Sequence, residues 1–318
     1  MEMFEVLQPG LYTTIQDQGR FGYLQFGIPP CGVIDSYAYQ LSNLLVGNSV
    51  DEAVLEATVL GPVLQILGDG VIAITGGDLS PQLNDVPIPM WESIPIKRGN
   101  KLSFKGLKKG CRAYIAVGGG IDVPPVMGSR STYVAGKIGG INGRPLIAGD
   151  KIPKGKNDST AGKRIPQEFL PNYSNHPTIR VVLGPQEDYF SDGIQTFLNS
   201  EFKVSSKADR MGYRLEGPVI SHREGVEKSI ISEPSVPGGI QVPPDGQPII
   251  LLIEQTVGGY TKIATVISTD IGFVGQAKPG DRIRFKAVDL KEAHRLYVEN
   301  LEKILKLKDL MTHQRGPN

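Results

Sequence analysis

Short runs of β-branched residues, each ended by turn-forming residues, recur along the whole chain. They are rich in Val and Ile and stop at Gly, Pro or Asp, which is typical of strands. The runs cover residues 63–67, 71–75, 112–117, 179–183, 249–253, 263–267 and 282–287. The 318 residues include 39 glycines and 24 prolines, well above the roughly 12% of average usage. Because no collagen-like period is present, this excess predicts many turns between short strands, and so a mainly β fold.

Two segments have helical periodicity instead. Residues 36–46 have Asp35 or Ser36 as a possible N-cap and Gly47 after the last turn. Their apolar side is formed by Ala38, Leu41, Leu44 and Leu45. Residues 289–307 place an apolar stripe on one side, which predicts a C-terminal amphipathic helix. That stripe contains Leu290, Ala293, Leu296, Leu301 and Ile304.

A polar, proline-rich segment separates two β-rich halves of the chain. Its composition is typical of a connector rather than of a packed element. We therefore expect a first lobe over residues 1–150, a connector over 151–177 and a second lobe over 178–318.

The two halves share short sequence matches in the same order. "GRFGY" at 19–23 matches "DRMGY" at 209–213, and "LGPV" at 60–63 matches "EGPV" at 216–219. "RGNKLSF" at 98–104 matches "PGDRIRF" at 279–285, where Gly followed by Asn or Asp predicts a tight turn before a strand. The order favours duplication of a β-rich module.

Charge and cysteine content exclude several classes of protein. A formal net charge of +1 gives no electrostatic reason to expect a nucleic-acid or membrane partner. Cys31 and Cys111 provide neither a disulfide framework nor metal-ligand spacing. The start of the chain lacks the features of a signal peptide, and no apolar run approaches the ~18 residues of a spanning helix. We expect a soluble, cytoplasmic protein.

Sequence motifs for nucleotide or metal binding are also missing. "AVGGGID" follows a strand but lacks the G-x-G-x-x-G spacing, and no G-x-x-x-x-G-K-[ST] occurs. The four histidines lie far apart in sequence, so we expect solvated or hydrogen-bonded imidazoles and no metal site.

Charged residues held among glycines are the candidates for a binding site. Glycine allows close backbone approach, and arginine can bind a carboxylate through two nitrogens. The candidates are Asp17, Arg20, Arg130, Asp209, Arg210, Arg214, Glu233, Gln241 and Lys262. As a set they predict a polar cleft between the two lobes. For any single residue, a structural ion pair or a turn-forming role is the alternative.

Arg210 and Arg214 lie four positions apart on either side of "MGY". A helix would place both on one face, and so would a strand, because the spacing is even. We therefore expect both to reach one anion, with a solvated surface pair as the alternative.

Several long motifs resemble the allophanate hydrolase subunit 2 family, also called the biotin-dependent carboxyltransferase subdomain A/B family. The motifs are "PGLYTTIQDQGRFGYLQFGIPPCGVID", "GGIDVPPVMGSRSTY", "GGINGRPLIAGD" and "SEPSVPGGIQVPPDGQPIILLIEQTVGGYTKIATVI". The resemblance implies two tandem cyclophilin-like β-barrel lobes, which agrees with the duplication. Thr261 stands where members of the family more often carry proline.

The resemblance also implies an activity and partners. Members of this length act in the 5-oxoprolinase complex, which opens 5-oxo-L-proline to L-glutamate at the expense of ATP. The implied partners are the B-type component of that complex (KipI-like, of the allophanate hydrolase subunit 1 type) and its A-type component, one of which would bind the ATP. No biotin-attachment pair is present in this chain. A KipA-like regulator that binds a kinase inhibitor, or a carboxyltransferase-like component of a urea carboxylase, is the alternative.

Roles for the candidate residues follow from this implied chemistry. Arg20, Arg130, Arg210 and Arg214 would bind substrate or intermediate anions. Asp17, Asp209 and Glu233 would orient groups or transfer protons. Lys262 would act beside them, with Tyr260 and Gln241 lining the cleft.

Overall fold

The computed structural model describes residues 1–156 and 160–313 and divides into two compact units. Unit 1 contains Met1–Arg20, Cys31–Asn172 and Leu301–Asn318, whereas unit 2 contains Phe21–Pro30 and Tyr173–Asn300. These bounds differ from the expected lobes, because the chain passes between the units more than once.

Unit 1 is built from antiparallel strands, a helix near its N-terminus and the last part of the C-terminal helix. Its strands are β1 Glu2–Gln8, β2 Tyr12–Gln16, β3 Val54–Thr58, β4 Val63–Ile66, β5 Gly70–Asp78, β6 Pro81–Leu83, β7 Val86–Pro87, β8 Ser93–Ile96, β9 Lys101–Phe104, β10 Lys109–Val117 and β11 Lys151–Pro153. They form a six-stranded sheet in the order β11-β1-β4-β9-β6-β7 and a five-stranded sheet in the order β2-β3-β10-β5-β8. Apolar residues of both sheets form one buried cluster, so the two sheets share a core.

The start of the expected connector is a strand of unit 1. In β11, Ile152 is buried and pairs with Phe4 of β1. The segment expected to be a connector therefore begins with an edge strand, Lys151–Pro153, in which one apolar side chain lies between polar neighbours. The division into two lobes and a connector stays a prediction. Residues 157–159 of that segment lie outside the described residues.

Helix α1, Ser36–Leu45, forms as the sequence predicts and is fixed at its N-terminus. The Asp35 carboxylate accepts a hydrogen bond from the backbone N–H of Ala38 at 3.1 Å, which caps the helix. The Thr75 hydroxyl of β5 donates to the carbonyl of Ala38 at 2.7 Å. Leu41 and Leu45 are fully buried in a second apolar cluster of unit 1.

Unit 2 is a single eight-stranded sheet with short helices. Its elements are β12 Thr178–Leu183, α2 Asp192–Asn199, β13 Glu201–Ala208, β14 Gly212–Glu216, β15 Ser229–Pro234, β16 Gly239–Val242, β17 Ile249–Leu251, β18 Val257–Val266, α3 Ile271–Gln276, β19 Arg282–Ala287 and the beginning of α4 Leu290–His313. The strand order is β12-β19-β13-β14-β17-β16-β18-β15, and β12 also pairs with β18. Every predicted strand overlaps an observed one, and the mainly β fold is confirmed.

The repeated turn motif has the same backbone conformation in both units. Gly99 before β9 has φ +89° and Gly280 before β19 has φ +96°, in the left-handed region that glycine tolerates best. No atom lies within 4 Å of a Cβ built at either position. Backbone conformation, rather than close packing, therefore explains the glycine here.

Helix α4 extends six residues beyond the expected end at residue 307, to His313. The predicted apolar stripe is only partly buried, since Leu290 is 75% exposed and Leu301 is 41% exposed. Leu307 and Met311 instead belong to the apolar cluster of unit 1 that contains α1. Nowhere in residues 1–156 and 160–313 does a helix combine the length and apolar character needed to cross a membrane.

Helices α2 and α3 were not predicted. They contain eight and six residues, which is too short for a 3.6-residue period to stand out from the surrounding sequence.

Candidate functional site

In unit 1, the carboxylate of Asp17 holds together two distant segments of the chain. It follows β2 directly and is 8% exposed. Oδ1 accepts hydrogen bonds from the hydroxyls of Ser129 at 2.6 Å and Ser131 at 2.5 Å. Oδ1 also accepts from the backbone N–H of Gly19, and Oδ2 accepts from that of Arg130 at 2.5 Å. We call Asp17, Ser129, Arg130 and Ser131 the Asp17 cluster. So many donors favour a positioning role for this carboxylate over a proton-transfer role.

Arg20 lies beside this cluster and is almost fully buried. Its side chain is 1% exposed, and Nη2 donates to the backbone carbonyl of Ser131. Nε and Nη1 are buried without a hydrogen-bond partner. The structure thus brings Asp17 and Arg20 to the same loop, but it does not pair their charges.

Arg130 takes part in the Asp17 cluster through its backbone, while its side chain points elsewhere. Nε donates to the carbonyl of Val123 at 2.9 Å, and Nη2 lies 3.5 Å from the exposed Asp122 carboxylate. Since 31% of the side chain is accessible, Arg130 keeps donors that could meet an anion from solvent.

In unit 2, Arg210 and Arg214 have different environments. Arg210 lies in the turn before β14 and is 5% exposed, and its Nε is 2.5 Å from Oε1 of Glu254. Arg214 lies within β14 between buried Tyr213 and Leu215, so its side chain is on the exposed face. The prediction that one face carries both arginines is therefore wrong, because the strand begins only at Gly212.

Asp209 closes the same turn. Its Oδ1 accepts hydrogen bonds from the backbone N–H groups of Met211 at 2.8 Å and Gly212 at 3.1 Å. The residue is exposed. These contacts match the turn-forming alternative that the sequence left open.

Glu233 and Lys262 come together across the pair formed by β15 and β18. Lys262 Nζ donates a hydrogen bond to Oε1 of Glu233. The lysine side chain is 8% exposed and the glutamate side chain is 45% exposed. The buried ammonium therefore holds one carboxylate oxygen, while the rest of the carboxylate remains accessible to a ligand.

Glu233 of this pair lines a cavity of ≈ 670 Å³. Its lining combines Glu233 with polar side chains and with the apolar side chains of Val226, Ile230 and Ile231. The polar side chains are Gln186, Asp188, Tyr189, Arg223, Glu227 and Ser229. We call this the Glu233 cavity. A concave site that joins apolar walls to a few charged groups is typical of small-molecule binding.

Gln186 connects the cavity to Lys262. Its Oε1 accepts a hydrogen bond from the backbone N–H of Lys262 at 3.0 Å. Sequence analysis missed Gln186, Tyr189 and Arg223, because nothing in their local sequence distinguishes them from ordinary loop residues. The only nearby residue that the sequence singles out is His222, which directly precedes Arg223.

Tyr260 and Gln241 lie on strands next to this region. Tyr260 of β18 is 38% exposed and pairs with Ser229 of β15. Gln241 of β16 is 3% exposed and pairs with Lys262. Its Nε2 is buried without a hydrogen-bond partner, and a Cβ at Gly258 would lie 2.0 Å from it. The Gln241 side chain therefore fits in this position because residue 258 is a glycine.

His222 is hydrogen-bonded and packs on an aromatic ring. Its Nε2 lies 2.8 Å from the hydroxyl of Thr261, and its ring packs on Phe190 with centroids 4.7 Å apart. Burial, with a smaller contribution from Lys228, lowers the pKa of His222. Among the residues that the structure describes, no group of three or more His, Cys, Asp and Glu side chains could hold a metal ion.

The expectation of one cleft that joins all the candidates stays a prediction. Within unit 1 the structure groups Asp17, Arg20 and Arg130, and within unit 2 it groups Glu233, Lys262 and Gln241 at neighbouring strands. Asp209, Arg210 and Arg214 belong to a separate turn and strand of unit 2.

Comparison with known proteins assigns the fold to a family. The profile described as "carboxyltransferase domain, subdomain A and B" matches residues 26–287. The chain therefore belongs to the carboxyltransferase subdomain A and B family, which confirms the resemblance inferred from the sequence.

Two kinds of relative cover nearly all of this chain. Over 295 residues it is 39% identical to the C subunit of 5-oxoprolinase from Escherichia coli (strain K12), covering 92% of this chain and 93% of that protein. It is 37% identical to urea amidolyase of Lachancea kluyveri, covering 94% of this chain but 18% of that protein. The crystal structure of the K. lactis urea amidolyase matches with a TM-score of 0.90 at 35% identity, over 96% of this chain and 20% of that one.

Proposed function

We propose that this chain is one subunit of an ATP-dependent 5-oxoprolinase complex that hydrolyses 5-oxo-L-proline to L-glutamate. The observation that carries this proposal is the match to the 5-oxoprolinase C subunit, which extends over 93% of that relative. A second protein of that name, from Haemophilus influenzae, is covered over 95% of its length at 35% identity. The chain spans only about a fifth of the urea amidolyases that it matches.

The proposal includes partners and a division of labour. An A-type component and a B-type component of the KipI kind would complete the complex. We place ATP on a partner, because this chain has neither phosphate-binding glycine motif. We also propose that this chain carries no biotin and no metal.

For the architecture, we propose two tandem cyclophilin-like barrels. In unit 2, β12 pairs with β19 on one side and with β18 on the other, so the strand order returns to its first member. This pairing supports a barrel there. The shared glycine turn before β9 and β19 supports a common origin of the two units.

We assign the lactam chemistry to the Glu233 cavity. Opening the ring requires water to attack the carbonyl carbon, the C–N bond to break and a proton to reach the nitrogen. Glu233 would take the proton from water, because part of its carboxylate is accessible beside Lys262. Lys262 would keep Glu233 oriented. Tyr260, which is 38% exposed, would contact the substrate, and Gln241 would support the site from the neighbouring strand.

In unit 1 we assign anion binding to Arg20 and Arg130, and an orienting role to Asp17. Asp17 fixes the loop that carries Arg130, since it binds that residue's backbone N–H at 2.5 Å. Arg214 is exposed enough to meet a ligand or partner, whereas Arg210 and Asp209 would act by holding their turn.

A second candidate is a carboxyltransferase-like component of a urea carboxylase. The TM-score of 0.90 against the K. lactis urea amidolyase favours it. A KipA-like regulator, which binds its partner without turnover, shares the same family motifs.

Reconstitution tests the proposal. The purified chain is mixed with the A-type and B-type components, and glutamate release from 5-oxoproline is measured with and without ATP. We expect ATP-dependent release only from the complete mixture. A complex that assembles but releases no glutamate contradicts the enzyme role and favours the regulator, whereas ATP-dependent use of urea with a biotin carboxylase partner favours the urea carboxylase alternative.

A further inference from the structure

Arg223 combines a fixed backbone with a guanidinium that is free to bind a ligand. It lies in the segment between β14 and β15 and is exposed. Its backbone N–H donates to the carbonyl of Tyr189 at 2.7 Å. Among the residues that the structure describes, no acceptor pairs with its side chain, although Arg223 lines the Glu233 cavity. An arginine held in this way can bind an anion without ordering its backbone first.

A tight turn that begins at Arg223 fixes the base of its side chain. The backbone N–H of Val226 donates to the carbonyl of Arg223 at 3.4 Å, so residues 223–226 form a β-turn. Gly225 is the third residue of this turn and has φ +79°, a conformation that glycine adopts without strain. Because Arg223 and Val226 both line the cavity, the turn places the base of the arginine side chain at the cavity wall.

The acidic side chains of the cavity leave Arg223 unpaired. Asp188, Glu227 and Glu233 also line the cavity. None of these carboxylates lies within the 4.0 Å of an ion pair with the guanidinium, whereas Glu233 is bound by Lys262 of β18. The cavity therefore contains an accessible cation and, separately, an accessible acid that is already held in place.

This distribution of charge limits where a ligand anion can lie. Arg223 is the one cationic residue in the cavity lining as far as the structure describes it. The three carboxylates repel an anion from the other walls, the more strongly where the ligand excludes water. A ligand carboxylate should therefore lie against Arg223, whose planar guanidinium can donate to both carboxylate oxygens. The apolar side chains of Val226 and Ile230 can contact the carbon atoms of the ligand.

We propose that Arg223 binds the carboxylate of the substrate, so that the Glu233 cavity binds lactams that carry a carboxylate in preference to lactams that do not. The identity of the lactam as 5-oxo-L-proline rests on the function proposed above, whereas the carboxylate site rests on Arg223 and the cavity. The two ends of the ligand are then recognised separately, with the carboxylate at Arg223 and the ring carbonyl beside Glu233. Arg223 determines specificity and orientation and takes no part in proton transfer.

Two ligands that differ only by the carboxylate test this proposal in the full chain without partner proteins. 5-Oxo-L-proline and 2-pyrrolidinone contain the same lactam ring, but only the first carries a carboxylate. Each is titrated into the chain at constant ionic strength, and binding is measured by calorimetry. We expect saturable binding of 5-oxo-L-proline, with an affinity at least about tenfold higher than that of 2-pyrrolidinone. A smaller difference, or no saturable binding of 5-oxo-L-proline, overturns the proposal.

The same two ligands show whether Arg223 is the group that binds the carboxylate. We expect Arg223→Met to weaken the binding of 5-oxo-L-proline about tenfold or more and to leave the affinity for 2-pyrrolidinone unchanged. Arg223→Lys keeps the charge but loses the planar donors, so its affinity for 5-oxo-L-proline should be intermediate. Arg282→Met is the matched control, because Arg282 is also exposed but lies on β19 and does not line the cavity. An Arg223→Met variant that loses affinity for both ligands by the same factor, or for neither, contradicts the proposal.

Turnover in the reconstituted complex separates this proposal from the proposed function. We expect Arg223→Met to raise KM for 5-oxo-L-proline about tenfold or more with a smaller change in kcat, because the carboxylate is bound in the ground state and in the transition state. Carboxylate-dependent binding by a complex that releases no glutamate contradicts the 5-oxoprolinase function and keeps the Arg223 site. ATP-dependent glutamate release with an unchanged KM in Arg223→Met keeps the function and removes Arg223 from the site.

Discussion

Nε of Arg210 lies 2.5 Å from Oε1 of Glu254, and the two side chains are 5% and 9% exposed. The backbone N–H of Glu254 also donates to the carbonyl of Arg210 at 3.2 Å. The turn between β13 and β14 is thereby fixed to the segment that follows β17. Arg210 consequently has a structural role in holding this turn, whereas the side chain of Arg214, four residues later, is exposed.

Replacing these two arginines should have unequal effects on stability. Arg210→Met leaves Glu254 buried without this charge partner, so we expect the free energy of unfolding to fall by about 3 kcal/mol. Arg214→Met changes an exposed position and should cost less than about 0.5 kcal/mol. Urea unfolding followed by circular dichroism measures both. Equal losses in the two variants would contradict the different environments described here.

The two aspartates that follow strands form a second matched pair. Asp17→Asn puts an amide NH₂ among donors, so we expect a loss of about 2–3 kcal/mol in the free energy of unfolding. Asp209→Asn retains an oxygen that accepts from the backbone of its turn, and Asn is common in such turns, so the loss should stay below about 0.5 kcal/mol. The midpoints of urea unfolding of the two variants, compared with that of wild type, measure both losses. A stable Asp17→Asn would mean that its hydroxyl and amide donors find other acceptors.

Glu233 should affect turnover more than folding. In the reconstituted complex, we expect Glu233→Gln to lower kcat about 100-fold or more, because the amide cannot take a proton from water. Lys262→Met should lower kcat as well, since it removes the group that holds the carboxylate. Glu216→Gln, at an exposed position on β14, is the control and should leave kcat unchanged. Turnover within about twofold of wild type in Glu233→Gln would remove Glu233 from the proton-transfer role.

Stability should depend on the protonation of His222. Its pKa lies below the 6.5 of an unperturbed histidine, so the unfolded chain binds this proton more readily than the folded one. The resulting stability is present above about pH 6.5 and is lost as the pH falls through the folded pKa. We expect His222→Gln to show a smaller loss of unfolding free energy between about pH 7.5 and pH 5 than wild type.

The control for the pH experiment is His176→Gln, because His176 is exposed. The free energy of unfolding of this variant should change with pH in the same way as that of wild type. A His222→Gln profile that coincides with wild type would show that this histidine contributes nothing to the pH dependence.

Local sequence was sufficient for the elements that depend on neighbouring residues. The run at 282–287 is β19, and the cap at Asp35 begins α1 as predicted, because side-chain alternation and capping act over a few residues. The glycine turns before β9 and β19 could also be predicted from the sequence, because a positive φ is a requirement of the turn itself. Family membership followed from long motifs in the sequence alone.

Tertiary structure alone decided which charges meet. Asp17 binds hydroxyls 112 and 114 residues away, and Arg20 donates to a carbonyl 111 residues away. Arg210 and Arg214 look equivalent in sequence, yet one pairs with Glu254, 44 residues later, and the other remains in solvent. The physical reason is that strand pairing brings distant segments together, and these segments decide whether a side chain is buried and which partner it meets. A periodic pattern in the sequence shows which face of its own strand or helix a residue occupies, but not which distant segment packs against that face.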